Sequence, residues 1–188
     1  MPMPTDEIIS DSEVRMKKAV EVLQNELKTV RTGRASTGLV ENIKVDYYGQ
    51  LIPLRQMATL ATPQVDMIVI KPFDPASVKA IEKAIKSSDL SIAPIVDGKL
   101  IRLNIPPLSE ERRKQLVSQA KQMGEQAKVS IRNIRREANK QLEKQQKDKL
   151  ITEDDLQTGK KQIDDVTKKY TDKVDSIIKS KSDEIMSG

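Results

Sequence analysis

The sequence predicts an α+β fold, in which an elongated three-helix bundle is interrupted by a small inserted β/α/β domain. Three observations predict it. Apolar residues recur at helical spacing in three long stretches of the 188-residue chain. That period gives way to strand-like alternation between Gly33 and Pro107. Large rings are nearly absent, with Phe73, Tyr47, Tyr48 and Tyr170 as the only aromatics. A thick core draws on rings for buried area, so Leu, Ile, Val, Met and Ala here predict a thin apolar seam.

The first helix is expected from about Glu7 to Arg31, where Met16, Val20, Leu23, Leu27 and Val30 follow one another at steps of three and four and so share one stripe. In the insert, Ile43 to Tyr47 alternates as a half-buried strand before a turn at Gly49, and Met67 to Ile70 is a short apolar β-rich run. Pro75 to Ser87 carries Val78, Ile81 and Ile85 on one helical face. Ile92 to Val96 and Leu100 to Ile105 flank Asp97-Gly98, a pair suited to a tight hairpin turn.

The second long helix starts after Pro106-Pro107, with Ser109 as N-cap and Glu110 and Glu111 in the first turn. Its stripe runs from Leu116 to Leu142, and about 38 residues would extend roughly 57 Å. The third starts near Thr152, whose hydroxyl can form a capping box with Asp155. Its stripe includes Leu156, Ile163, Val166, Tyr170, Val174 and Ile177. The short polar link between them, near Lys147 to Ile151, predicts an antiparallel hairpin. The expected domains are therefore residues 1–31 with 107–188, and residues 32–106. Thr32, Gly33, Arg34, Ala35 and Ser36 on one crossing, and Asn104, Ile105, Pro106 and Pro107 on the other, form two short links expected to act as a hinge; a fixed elbow is the alternative.

Composition narrows the chemistry. Without Cys or His there is no thiol nucleophile, no thiolate or imidazole metal ligand, and no side chain that ordinarily titrates near neutrality. Asp154-Asp155 and Asp164-Asp165 are adjacent on a helix and so diverge; the first pair suits a helix N-terminus. No phosphate-binding glycine loop or nucleophile elbow occurs. The expectation is a protein that is not an enzyme and has no cofactor or metal. No apolar run reaches the roughly 20 residues of a membrane span, and the acidic start to Ser12 does not read as a targeting segment, so a cytoplasmic, soluble protein is expected.

Charge supplies the positive signal. The net charge is +5, and residues 121–149, with nine basic and four acidic side chains, carry a local net of +5. On a helix Lys121, Lys128, Arg132, Arg135, Arg136 and Asn139 share a broad face, mostly clear of the Ile131, Ile134 and Ala138 stripe. Three arginines within five residues suit phosphate oxygens. Glu125, Glu137 and Glu143 are too few to neutralise the patch. With no aromatic platforms for single strands, folded double-helical RNA is the favoured partner. A coiled-coil protein that dimerises through its apolar stripe is the competing reading.

Several strings then stand in a collinear order: Arg31-Thr-Gly-Arg-Ala-Ser36, Tyr47-Tyr48-Gly49, Pro53-Leu54-Arg55-Gln56, Glu82-Lys83-Ala84-Ile85, Ser88-Asp89-Leu90, Ile101-Arg102, Pro106-Pro107-Leu108, Glu110-Glu111-Arg112-Arg113-Lys114 and Arg132-Asn133-Ile134-Arg135-Arg136. As a set they closely resemble the ribosome recycling factor family, over essentially the whole chain from about Val14. The resemblance implies an L-shaped, tRNA-like monomer that binds the post-termination ribosome with its bundle against large-subunit ribosomal RNA. It implies that elongation factor G hydrolyses GTP and drives subunit separation through this wedge. The family's RNA-contacting arginines map onto Arg132 and Arg135, with Arg136 adjacent. One departure is Ser91-Ile92-Ala93-Pro94, where the family pattern is Gly-Leu-Asn-Pro.

Overall fold

The computed structural model describes residues 3–187. The chain forms two compact units, one of residues 1–27 with 117–183 and one of residues 28–116 with 184–188.

The first unit is helical. Helix α1 spans Thr5–Leu27, α4 Glu110–Lys147 and α5 Glu153–Ser187; the two ends of the α4–α5 hairpin belong to the second unit. Helix α1 buries Ile8, Ser12, Met16, Val20, Leu23 and Leu27. The seam is completed by Ala120, Ala127, Ile131, Ala138 and Leu142 of α4 and by Leu156, Ile163, Tyr170 and Val174 of α5. Small residues let the helices approach. A Cβ on Gly124 would lie 2.6 Å from Cγ1 of Ile178, and one on Gly159 would lie 3.1 Å from Cδ1 of Leu142.

The caps follow the sequence. Ser109 Oγ accepts the amide N–H of Arg112 at 3.2 Å. Thr152 Oγ1 accepts from Asp155 N at 3.1 Å, and Asp155 Oδ2 accepts from Thr152 N at 3.0 Å, closing the box in both directions. Thr152, chiefly through its backbone N–H, holds the Asp155 carboxyl below its ordinary range. Helix α1 ends earlier than its apolar period suggests, at Leu27 rather than Arg31. Val30 is still buried, but outside the helix. The β-branched Thr29, Val30 and Thr32 propagate a helix poorly, and Gly33 turns to φ +82°.

In the second unit, β1 (Lys44–Tyr47) and β2 (Gln50–Pro53) form a hairpin. A short helix α2 (Leu54–Met57) leads to β3 (Ala58–Gln64) and β4 (Met67–Pro72). Helix α3 (Val78–Lys86) precedes β5 (Ile95–Asp97) and β6 (Leu100–Asn104). The four-stranded antiparallel sheet has the order β3-β4-β6-β5. Helix α3 contributes Val78, Ile81 and Ile85 to a core shared with Ile68, Ile70, Ile101 and Leu103. Asp97 is still paired, with Leu100, so the hairpin loop is Gly98-Lys99, with Gly98 at φ +61°. Strand β3 is not evident in the sequence, because its Ala-Thr-Leu-Ala-Thr-Pro-Gln run is short of large apolar residues and mostly exposed.

Candidate nucleic-acid interface

Along α4 the buried residues Ala120, Ala127, Ile131, Ile134, Ala138 and Leu142 repeat at steps that sum to whole helical turns. The six residues expected on the RNA face lie on one flank of that stripe. The structure divides them into two tiers.

The inner tier turns toward α5. Lys128 Nζ lies 2.5 Å from Asp175 Oδ1 and 3.2 Å from Glu125 Oε1. These carboxylates, Asp175 first, raise its pKa. Arg135 Nη1 stands 3.9 Å from Asp164 Oδ1. Arg135 Nε and Asn139 Oδ1, one helical turn apart, are buried atoms with no hydrogen-bond partner among the described residues. Lys160 of α5 reaches Glu143 of α4 at 2.7 Å and is the main reason the Glu143 carboxyl sits below its ordinary range.

The outer tier faces solvent. Lys121 and Arg136 are exposed and Arg132 half-buried, and none of the three is in an ion pair among the described residues. Lys140 and Lys144 continue the exposed charge toward the α4 C-terminus. Arg136 and Arg132, as unpaired forked donors, are the side chains best placed to exchange counterions for phosphate. The opposite flank of α4 is set by α1, where Arg15 Nη2 lies 2.8 Å from Glu137 Oε2.

Counting carboxylates on α4 alone therefore misses Asp164 and Asp175. Their signal is present in the sequence, since an antiparallel hairpin turning at residues 148–152 sets 128 opposite 175, 135 opposite 164 and 143 opposite 160.

The crossing residues all lie in the second unit. Thr32 is buried, Gly33 half-buried and Arg34 exposed. Ala35 N donates to Val65 O at 2.6 Å and Ile105 N to Asp66 O at 2.7 Å, so both crossings are tied to one β-turn. Ser36 Oγ accepts from Gly38 N at 3.2 Å and caps the 3₁₀ turn Thr37–Leu39. Asn104 pairs with Met67. Arg31 Nη2 donates to the Pro106 carbonyl at 3.2 Å, and burial, then the nearby Arg112, lowers its pKa. Pro106 and Pro107 are exposed. Bending at Ala35 or Ile105 costs a backbone bond; the torsions at Thr32–Arg34 and Pro106–Pro107 carry no such tie among the described residues.

Among the described residues no group of three or more Asp or Glu is arranged to hold a metal ion, and no helix is long and apolar enough to cross a membrane.

Known proteins extend this picture. A family model described as ribosome recycling factor matches residues 23–186. A ribosome-recycling factor of Oleidesulfovibrio alaskensis is 49% identical over 181 residues, covering 96% of this chain and 98% of the relative. One from Carboxydothermus hydrogenoformans is 45% identical over the same proportions. A solution structure of the ribosome recycling factor superposes with a TM-score of 0.80 at 41% identity, and each chain is covered in full. A second structure, at TM-score 0.70 and 40% identity, covers 98% of this chain and all of the other. That structure comprises models for the T. thermophilus ribosome recycling factor and the E. coli elongation factor G bound to the E. coli post-termination complex.

Proposed function

The chain belongs to the ribosome recycling factor family, and from that membership we propose that it binds the post-termination ribosome and promotes subunit dissociation together with elongation factor G. In this reading GTP is hydrolysed by the partner, and the chain contributes a binding surface and no bond-breaking group of its own. It acts as a monomer in the cytoplasm, without cofactor or metal.

The observation that carries the docking half is the outer tier of α4. Arg132, Arg136 and Lys121 are in no ion pair among the described residues, on a helix whose other side is packed into the seam. Large-subunit ribosomal RNA is the polyanion they meet. Lys128, Arg135 and Asn139 form the inner edge of the same surface, the first two within reach of RNA once Asp175 and Asp164 yield. Thr32–Ser36 and Asn104–Pro107 serve as the hinge, with the pivot at the torsions free of the Val65-Asp66 turn.

The test is subunit separation, followed by light scattering, with purified post-termination ribosomes, elongation factor G and GTP. The full chain is expected to split them, and the Arg132→Ala/Arg136→Ala chain to need a several-fold higher concentration for the same rate. Splitting that ignores the chain, or proceeds equally well with both arginines removed, contradicts the reading.

A further inference from the structure

Gln145, in the last turn of α4, is the largest polar side chain buried among the described residues, at 7% exposed. Burying an amide is costly unless it is hydrogen-bonded, and an apolar residue fills such a place without that demand. Buried Ser12 and Thr167 meet it locally, each donating its hydroxyl to a carbonyl one turn back in its own helix. Gln145 does not. Its Nε2 donates to the carbonyl of Met3, 142 positions away in the chain. One residue on, the Pro4 carbonyl accepts the Ile8 N–H at 3.0 Å and so opens the first turn of α1.

The backbone of Gln145 is committed at the same place. Beyond α4, Lys149 stands in the left-handed region at φ +59°. The Leu150 N–H donates to the Gln145 carbonyl at 2.9 Å, and the Lys149 N–H to that of Gln146 at 3.0 Å. In this paired-bond helix ending, the residue after the left-handed one ordinarily makes its apolar contact with the side chain at the position Gln145 holds. Here that side chain is an amide already bonded to Met3. Leu150, Met3 and Ile8 instead line a common cavity of about 540 Å³, whose other lining side chains, such as Lys144 and Asp148, are polar. Leu150 is 55% and Met3 42% exposed.

Met3 therefore serves this end of the bundle twice, through a carbonyl held by Gln145 and a side chain lining the same cavity as Leu150. The family resemblance starts only near Val14 and assigns these first residues no task. We propose that Met3-Pro4 is a strap, latched by Gln145, which couples the start of α1 to the α4–α5 turn so that this end of the bundle opens and closes as one unit. Ordering a chain end costs conformational entropy, and a single buried amide offsets that cost here. With the latch broken, the Pro4 carbonyl loses its fixed place and the Ile8 N–H its acceptor. Gln145 is left with an unmet donor.

The experiment is native-state amide hydrogen exchange on the full chain, read at Ile8, Leu150 and, as a control within α1, Val20. In the wild type Ile8 and Leu150 are expected to show protection within about threefold of each other, as amides released by one opening do. Gln145→Leu keeps the bulk and removes the donor. It is expected to speed exchange at Ile8 about tenfold, the scale of one lost hydrogen bond. Leu150, offered an apolar partner at 145, does not speed up, and Val20 is unchanged. Met3→Gly, which weakens the same strap from its other side, also speeds exchange at Ile8. Combined with Gln145→Leu it adds less than the product of the two single effects. An unchanged Ile8 rate in either variant, or effects that multiply in full, overturns the proposal. So does wild-type protection at Ile8 and Leu150 that differs more than about tenfold. Should Gln145→Leu not fold, Met3→Gly alone decides, by the same Ile8 rate.

Discussion

Lys128 and Arg136 lie on the same flank of one helix, yet their charges are spent differently. Lys128 sits between Asp175 and Glu125, so its ammonium is held by carboxylates and is not presented to phosphate. Lys128→Ala is expected to weaken ribosome binding by under about twofold, and Asp175→Asn to strengthen it. Arg136→Ala should leave stability within about 0.5 kcal/mol, as surface changes do, while weakening binding more than Lys128→Ala does. Equilibrium binding and urea melts separate the two cases. A second residue-scale prediction concerns acid. The Glu13 carboxyl, hydrogen-bonded by Lys169 at 3.1 Å and Tyr170 at 3.2 Å, is held below its ordinary value of 4.5, chiefly by Lys169. Its folded pKa is depressed, so its contribution is present above 4.5 and is lost as pH falls through the folded value. Glu13→Gln is therefore expected to remove part of the acid loss of helicity below 4.5 and to change little at neutrality. Circular dichroism along an acid titration checks it. Position 91 shows how a single residue carries a trace of the backbone: Ser91 stands at φ +56°, a left-handed setting that explains why the family pattern has glycine there.

At the scale of elements, helix approach and helix capping make separable demands. Alanine ordinarily improves a helical glycine by about 1 kcal/mol. At Gly124 the new Cβ meets the middle of Ile178, 2.6 Å away, and overpacking of this kind costs about 1–3 kcal/mol. Gly124→Ala should thus destabilise the wild type but stabilise an Ile178→Ala background, a sign reversal that a double-mutant cycle of denaturation midpoints will display. Thr152→Ala should cost about 1 kcal/mol through loss of the α5 cap, read from the same melts. The capping box, both long helices and α3 were legible because their signals are local: a cap residue, a step of three or four, a proline before the start. The α1 terminus, β3 and the loop at Gly98-Lys99 were less so. Val30 keeps the apolar period although the chain has already left the helix. Strand β3 takes its identity from pairing with β4, which no property of its own residues announces.

For the whole molecule, the basic face was legible as a concentration of charge on residues 121–149, and family resemblance supplied the ribosome. What a helix-by-helix reading could not weigh was compensation from α5, because Asp164 and Asp175 lie some thirty to fifty residues away in sequence and meet the face only after the hairpin closes. The two crossings were legible in the sequence, but not their tether to the Val65-Asp66 turn. That tether makes a specific substitution informative. Gly33→Ala, placed in a left-handed setting, is expected to cost about 1 kcal/mol and to slow subunit splitting more than it weakens binding. Proline there would simply be incompatible with φ +82°.

The central claim, that the chain holds the ribosome through the uncompensated cations of α4, is met most directly by affinity for purified ribosomes across a salt series. Wild type, Arg132→Ala/Arg136→Ala and the α5 control Lys168→Ala would be compared. Each lost phosphate contact lowers the slope of log affinity against log salt by about 1. The account predicts that the double change weakens binding at low salt and flattens the slope by about 2, while Lys168→Ala leaves both unchanged. Equal losses in the two variants, or wild-type affinity and slope in both, would contradict it.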